Sequence, residues 1–179
     1  ILAIIPFTFV VYLFPGLFGA PQKALSGYLP PTSTLDSDIF ATVREFNMAA
    51  EHKTLVEEPK YGNKLSLPHG LRGYFDYQQA VRVAKKLNLP LFIDFTGNGC
   101  VNCRKMEANV WSDPEVLQRI NKNFLVVALY VDDKTLLPEK EWYVSDFDGR
   151  QKKTMGDQVS DLQIRKFGNL AQPFYVLLD

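Results

Sequence analysis

Leu91-Phe92-Ile93-Asp94-Phe95-Thr96-Gly97-Asn98-Gly99-Cys100-Val101-Asn102-Cys103-Arg104-Lys105-Met106-Glu107 is the stretch that decides how the rest of the chain is read. Behind Pro90, its first five residues form a short apolar run that suits a buried strand. Thr96 to Gly99 make a glycine-containing turn, and Val101 to Val110 read as helical. The two cysteines of the chain therefore stand three apart at a strand-to-helix junction. A bridge between them closes almost no loop and adds little stability by chain entropy. A disulfide-stapled scaffold would use more cysteines at wider spacing. Chemistry explains the pair better. The turn exposes the first sulfur, and the helix amides and dipole favour a thiolate there. The second sulfur lies one turn in, shielded and able to reach a mixed disulfide on the first. Cys100 is thus the expected attacking thiol and Cys103 the resolving one.

Other uses of a Cys-x-x-Cys fit less well. Zinc usually takes four ligands, and the chain adds only the distant His52 and His69. Covalent haem attachment needs a His after the second Cys, where Arg104 stands. A redox-inert pair of buried thiols would make the strand-turn-helix placement a coincidence. No metal and no bound cofactor is expected; the redox group is the Cys100–Cys103 disulfide itself.

Two carboxylates lie near the pair in sequence. Asp94 precedes Cys100 by six residues, and its neighbours Phe92, Ile93 and Phe95 argue for burial over a solvent-facing strand end. A buried carboxylate there would have a raised pKa and could relay a proton during exchange. Glu107 follows Cys103 by four residues, so it can share a helix face with it, although a solvated position fits the spacing equally. If both are close, their charge opposes the thiolate. Val101-Asn102 carries no cation to hold that thiolate, which points to a reducing pair. Pro173 opens the last apolar run. A proline at the start of a strand is unremarkable, whereas a cis peptide there would be purposeful.

Outward from this stretch, Asp76 can cap a helix to about Leu87, with Ala80, Val81, Ala84 and Leu87 on one face and Asn88 ending it. Ser112-Asp113-Pro114 is a helix start. Phe124 to Val131 and Phe174 to Leu178 are strands. A long polar loop runs from Asp132 to about Asp161, with a hairpin turn at Asp148-Gly149, and a short helix covers Asp161 to Phe167. The order predicts an α/β sandwich over residues 71–179. Residues 21–70 read as an exit loop and linker, with a short helix possible over Asp36–Glu51 and a polar linker over Glu57–Gly70. Ile1 to Ala20 has no charged side chain and nearly the length of a membrane span. Pro6 and Pro15-Gly16 interrupt it, as membrane helices tolerate. It is expected to be the end of a transmembrane helix; a signal peptide lacks its basic n-region here, and a buried soluble helix would show a polar face. With 20 basic and 20 acidic side chains the net charge is zero, so no long-range field favours nucleic acid.

Phe92 to Glu107 closely resembles the active-site stretch of the carboxy-terminal, thioredoxin-like domain of the DsbD family of transmembrane thiol–disulfide interchange proteins. Tyr130-Val131-Asp132-Asp133-Lys134-Thr135 and Gln172 to Asp179 resemble that domain's later strands. Ile1 to Pro31 resembles the end of the family's membrane domain, including the Leu29-Pro30-Pro31 exit. The resemblance implies a thioredoxin-like sandwich, a mixed sheet flanked by helices, and a protein-disulfide reductase. In that family electrons from cytoplasmic thioredoxin cross the bacterial inner membrane through a membrane-embedded dithiol. The carboxy-terminal domain, facing the periplasm, receives them. It passes them to the amino-terminal periplasmic domain, which serves disulfide isomerases and cytochrome c maturation thioredoxins. Cys100 and Cys103 fall on the redox pair, Asp94 and Glu107 on the acidic residues that tune it, and Pro173 on the cis-proline facing it. Gly99 departs from the Trp of general thioredoxins, the loop after Asp132 is long, and the chain ends before the fold's usual final strand and helix. Two other functions stay open: a membrane-tethered thioredoxin that reduces apocytochrome c directly, and a redox-inert binding module on the same fold.

Overall fold

The computed structural model describes residues 3–18, 20, 22, 24–25, 27–28 and 55–179. Along the chain the main elements are α1 (Ile4–Leu13), a 3-10 turn Phe14–Phe18, β1 (Gly73–Tyr74), α2 (Tyr77–Leu87), β2 (Leu91–Thr96), and α3 (Val101–Met106) running into a π turn Glu107–Trp111. Then come α4 (Pro114–Asn123), β3 (Leu125–Tyr130), a hairpin of β4 (Tyr143–Val144) and β5 (Gln151–Lys152), α5 (Met155–Phe167) and β6 (Phe174–Leu178).

The apolar runs assemble one four-stranded sheet in the order β1-β3-β2-β6. β3 is parallel to both β1 and β2, and β6 is antiparallel to β2. Parallel neighbours require long crossovers, which the helices provide. All six residues of β3 are buried, as expected of a strand covered on both faces. Along β2 the side chains alternate, so Phe92, Asp94 and Thr96 share one face and Ile93 and Phe95 the other. Phe92 meets Trp111 of the π turn at 5.5 Å between ring centroids and Tyr175 of β6 at 5.4 Å. On the opposite face Phe95 meets Phe167 of α5 at 5.6 Å. The sheet is thus a middle layer with helical cover on both sides, and Asp94 belongs to the α3 side.

Local chemistry explains where the helices begin. Asp76 accepts the Gln79 amide at 2.7 Å and caps α2, and Asn88 ends that helix in the left-handed region at φ 50°. Asp113 caps α4 with Pro114 at its first position.

Several expectations are corrected. α5 starts at Met155, six residues before Asp161, because Thr154 and Asp157 form a capping box. The long connection after β3 is therefore shorter than expected and contains the β4–β5 hairpin, which turns at Gly149 with φ +68°. The stretch Glu57–Gly70, expected as linker, packs on the domain: Leu65 and Leu67 are buried in the core, and Tyr130 donates its hydroxyl to the Ser66 carbonyl at 3.2 Å. β1 had no expectation; two residues are too few for periodicity to reveal. Within Ile1 to Ala20, α1 has ten apolar or hydroxyl residues and buries none of them, and the 3-10 turn at Pro15-Gly16 follows directly. No helix among the described residues is long and apolar enough to cross a membrane. The helix considered over Asp36–Glu51 lies outside the described residues, as does most of the exit loop at 21–35.

Candidate active site

β2 delivers the chain from the sheet's centre to its edge, and the turn Gly97–Gly99 closes with the Cys100 amide donating to the Gly97 carbonyl at 3.2 Å. Cys100 is the N-cap of α3, with extended backbone at φ −81°, and its Sγ accepts the Cys103 amide at 3.1 Å. This is the position where unpaired helix amides stabilise negative sulfur. The two cysteines are joined in a disulfide with a Cα–Cα separation of 5.2 Å. Cys100 is half-buried while Cys103 is 1% exposed. A partner can therefore reach the first sulfur and not the second.

The elements that flank the pair carry a buried ionic cluster. Asp94 and Glu107 are both buried, the one on β2 and the other opening the π turn. Arg104 is also buried, and its Nη2 sits 2.8 Å from Glu107 Oε1. The same guanidinium donates to Thr96 Oγ1 at 3.1 Å. Burial pushes the Asp94 carboxyl up to about 8; the Glu107 charge adds to this and the Arg104 cation opposes it. Burial likewise pushes Glu107 up to about 7, again against Arg104. Asp94 Oδ1 and Arg104 Nε are buried without a hydrogen-bond partner. The cluster thus holds two carboxyls that can gain or lose a proton near neutral pH.

Sequence reasoning placed Asp94 and Glu107 as candidates but took Arg104 only as a residue that was not His. Its burial had only one signal in the sequence, the i,i+3 spacing to Glu107 that puts the two opposite charges on one helix face. Pro173 follows a cis peptide bond with Gln172. Phe174 pairs with Phe95, so Pro173 stands at the Thr96 end of β2, where the chain leaves for the cysteines. Of the histidines considered as zinc ligands, His69 has its Nε2 2.7 Å from the Glu107 carbonyl, and His52 is outside the described residues. Among the described residues no three His, Cys, Asp or Glu side chains are grouped to hold a metal ion.

No curated protein matches the chain. Among solved structures, the solution structure of a thioredoxin from Thermus thermophilus is similar, with 22% identity, a TM-score of 0.40, and coverage of 60% of this chain and 63% of that one. The similarity thus spans less than two thirds of that thioredoxin's length. The family model described as thioredoxin-like matches residues 72–179. That match begins just before β1, runs through both cysteines and ends after β6, which is the whole of the sheet described above. On that match the chain belongs to the thioredoxin-like family.

Proposed function

We propose that this protein is a thiol–disulfide oxidoreductase working as a protein-disulfide reductase, which relays electrons from a membrane-embedded dithiol through Cys100 and Cys103 to periplasmic disulfide partners. The observation that carries the reading is the asymmetric pair, a reachable Cys100 at a helix N-cap and a shielded Cys103, flanked in the chain by a strand and a π turn that each bury a carboxyl of raised pKa. The absence of any cation in Val101-Asn102 supports the reducing direction. The uncharged stretch Ile1–Ala20, whose helix buries no side chain, supports attachment to the bacterial inner membrane, with the redox domain on the periplasmic side. The resemblance to the DsbD family supplies the donor and the acceptors: the membrane and amino-terminal domains of such a protein, then disulfide isomerases or cytochrome c maturation thioredoxins.

In the dithiol state the Cys100 thiolate attacks one sulfur of the partner's disulfide. The partner's S–S bond breaks, a mixed disulfide forms, and one partner thiolate leaves. Cys103 then loses its proton to a buried carboxylate of the Asp94–Glu107 pair and attacks Cys100 Sγ. The mixed disulfide breaks, the Cys100–Cys103 bond forms, and the second partner thiolate leaves. Two electrons reach the partner, and the carboxyl returns its proton to solvent or to that thiolate. A membrane dithiol reverses the bond changes at Cys100–Cys103 and resets the pair.

Equilibration of the whole chain against glutathione buffers tests the direction of flow. The expected potential lies nearer the about −270 mV of thioredoxin than the about −120 mV of a strong oxidant. A value at the oxidising end overturns the reductase reading. Substituting Cys103→Ser should trap partners as mixed disulfides on Cys100. Capture of apocytochrome c alone would replace the relay with direct reduction.

A further inference from the structure

The turn in front of Cys100 is held by a carboxylate from outside the cysteine motif. Asp132, just past the end of β3, accepts the Asn98 amide on Oδ1 at 2.8 Å and the Gly99 amide on Oδ2 at 2.8 Å. The Asn98 side-chain amide adds a longer bond to Oδ1 at 3.3 Å. Both carboxylate oxygens are therefore engaged by consecutive backbone donors, the last two before the attacking cysteine. Such charge-assisted bonds are the stronger class. A Cβ on Gly97 would stand 3.0 Å from Asp132 Oδ2, so a side chain there would crowd the carboxylate.

The mount of this carboxylate is itself fixed. Asp133 Oδ1 accepts the Thr135 amide at 2.7 Å. The Gly156 amide donates to the Asp133 carbonyl and the Met155 amide to the Thr135 carbonyl, each at 2.9 Å. A Cβ on Gly156 would lie 2.6 Å from the Val131 carbonyl oxygen, so the first turn of α5 is pressed against the segment that bears Asp132. Asp132 thus ties the cysteine turn to the base of the insertion that follows β3.

We propose that Asp132 is a positioning residue for the redox pair. By gripping the Asn98 and Gly99 amides it fixes the turn from which Cys100 projects, and so holds the Cys100 sulfur where Cys103 can close the disulfide. The proposal rests on the thiol–disulfide reading and adds a residue to it. Its chemical content is an effective concentration: a fixed turn makes ring closure by Cys103 compete better against external thiols.

The test uses the whole chain equilibrated with glutathione, together with hydrogen exchange of the Asn98 and Gly99 amides. Asp132→Ala should lower the ring-closure equilibrium constant about tenfold, which moves the potential about 30 mV toward the oxidising side. Both amides should lose protection. Asp132→Asn keeps the shape and one acceptor oxygen, so it should lose about threefold and expose one amide only. This isosteric variant keeps the test usable if the alanine variant folds poorly. A parental potential in Asp132→Ala overturns the proposal. So does an Asp132→Asn variant that matches Asp132→Ala in potential while both amides stay protected, because charge alone would then be acting. A parent chain that does not cycle between dithiol and disulfide in the same buffers defeats the oxidoreductase reading itself, and the proposal falls with it.

Discussion

Asp94 and Asp161 are equally hidden from water, at 3% and 2% exposure, yet the molecule treats them in opposite ways. Asp94 stands on the central strand with one oxygen unbonded and is pushed up to about 8. Asp161 stands on α5 under the β4–β5 hairpin. Burial pushes it up as well, but donors outweigh that: the Ser145 hydroxyl, the Tyr143 hydroxyl at 2.8 Å and Arg165 at 3.4 Å hold the carboxyl below the usual range. Burial alone therefore does not fix what an aspartate does. The donors around it do. One carboxyl is left able to change charge near neutral pH, and the other is locked ionised as a peg for the hairpin.

Asp161→Ala should give the largest effect. It strands the Ser145 and Tyr143 hydroxyls and should cost about 3 kcal/mol in chemical unfolding, while the glutathione equilibrium of the cysteines stays as in the parent. A large change in that equilibrium would erase the division between peg and proton carrier.

Arg104→Met should follow. Removing the buried cation raises both Asp94 and Glu107 further, since Arg104 opposes the burial effect at each. Leaving buried Glu107 without its partner should cost about 2 kcal/mol above neutral pH, since protonation of a carboxyl already raised to about 7 limits the loss, and less below it. Denaturation at pH 5 and pH 8 compares the two.

The pH dependence of the parent sharpens the comparison. Carboxyls raised in the folded state bind protons more tightly there than when unfolded. The cost of burying their charge is absent below about pH 4 and grows until pH passes about 8. Stability should therefore fall across that window, and Asp94→Asn should flatten the fall. In the reduced protein, Asp94→Asn with Glu107→Gln should lower the Cys100 pKa and speed its alkylation at pH 8, where the two carboxyls carry most of their charge, by up to about threefold for each half unit. An unchanged rate would make the carboxyls electrostatically remote from the thiol.

The smallest effect belongs to Arg119→Ala. Arg119 and Glu115 pair at 2.6 Å on α4, but both side chains are over 70% exposed. The loss should be about 0.3–0.5 kcal/mol and should fade in salt.

The sequence carried the three long strands because each is an apolar or aromatic run, broken only by Asp94 and Thr96 in β2, and it carried α2 and α4 through their caps at Asp76 and Asp113. It carried Asp94 because Phe92, Ile93 and Phe95 surround it. What it hid depended on partners distant in sequence. The carboxylate of Asp132 meets amides 33 and 34 residues before it, and Asp161 is buried by a hairpin 16 to 18 residues upstream. Glu57–Gly70 looked like linker because its leucines are spaced among polar and turn residues and show no period. The start of α5 was missed because Thr154-x-x-Asp157 precedes a mostly polar first turn, where capping is a stronger signal than apolar spacing.

Every residue of β2 is in register with β3, and Leu91 to Phe95 are in register with β6 too. The backbone donors of such a strand are spent on its neighbours. A carboxylate rising from the strand's middle finds no amide to borrow, which is why Asp94 stays starved while Asp132, facing a turn, has two. Transplanting Cys-x-x-Cys and a nearby Asp onto another scaffold would not reproduce this behaviour on an edge strand or a loop, where free amides would ionise the Asp for good. The portable unit is the doubly flanked strand together with the helix that follows it.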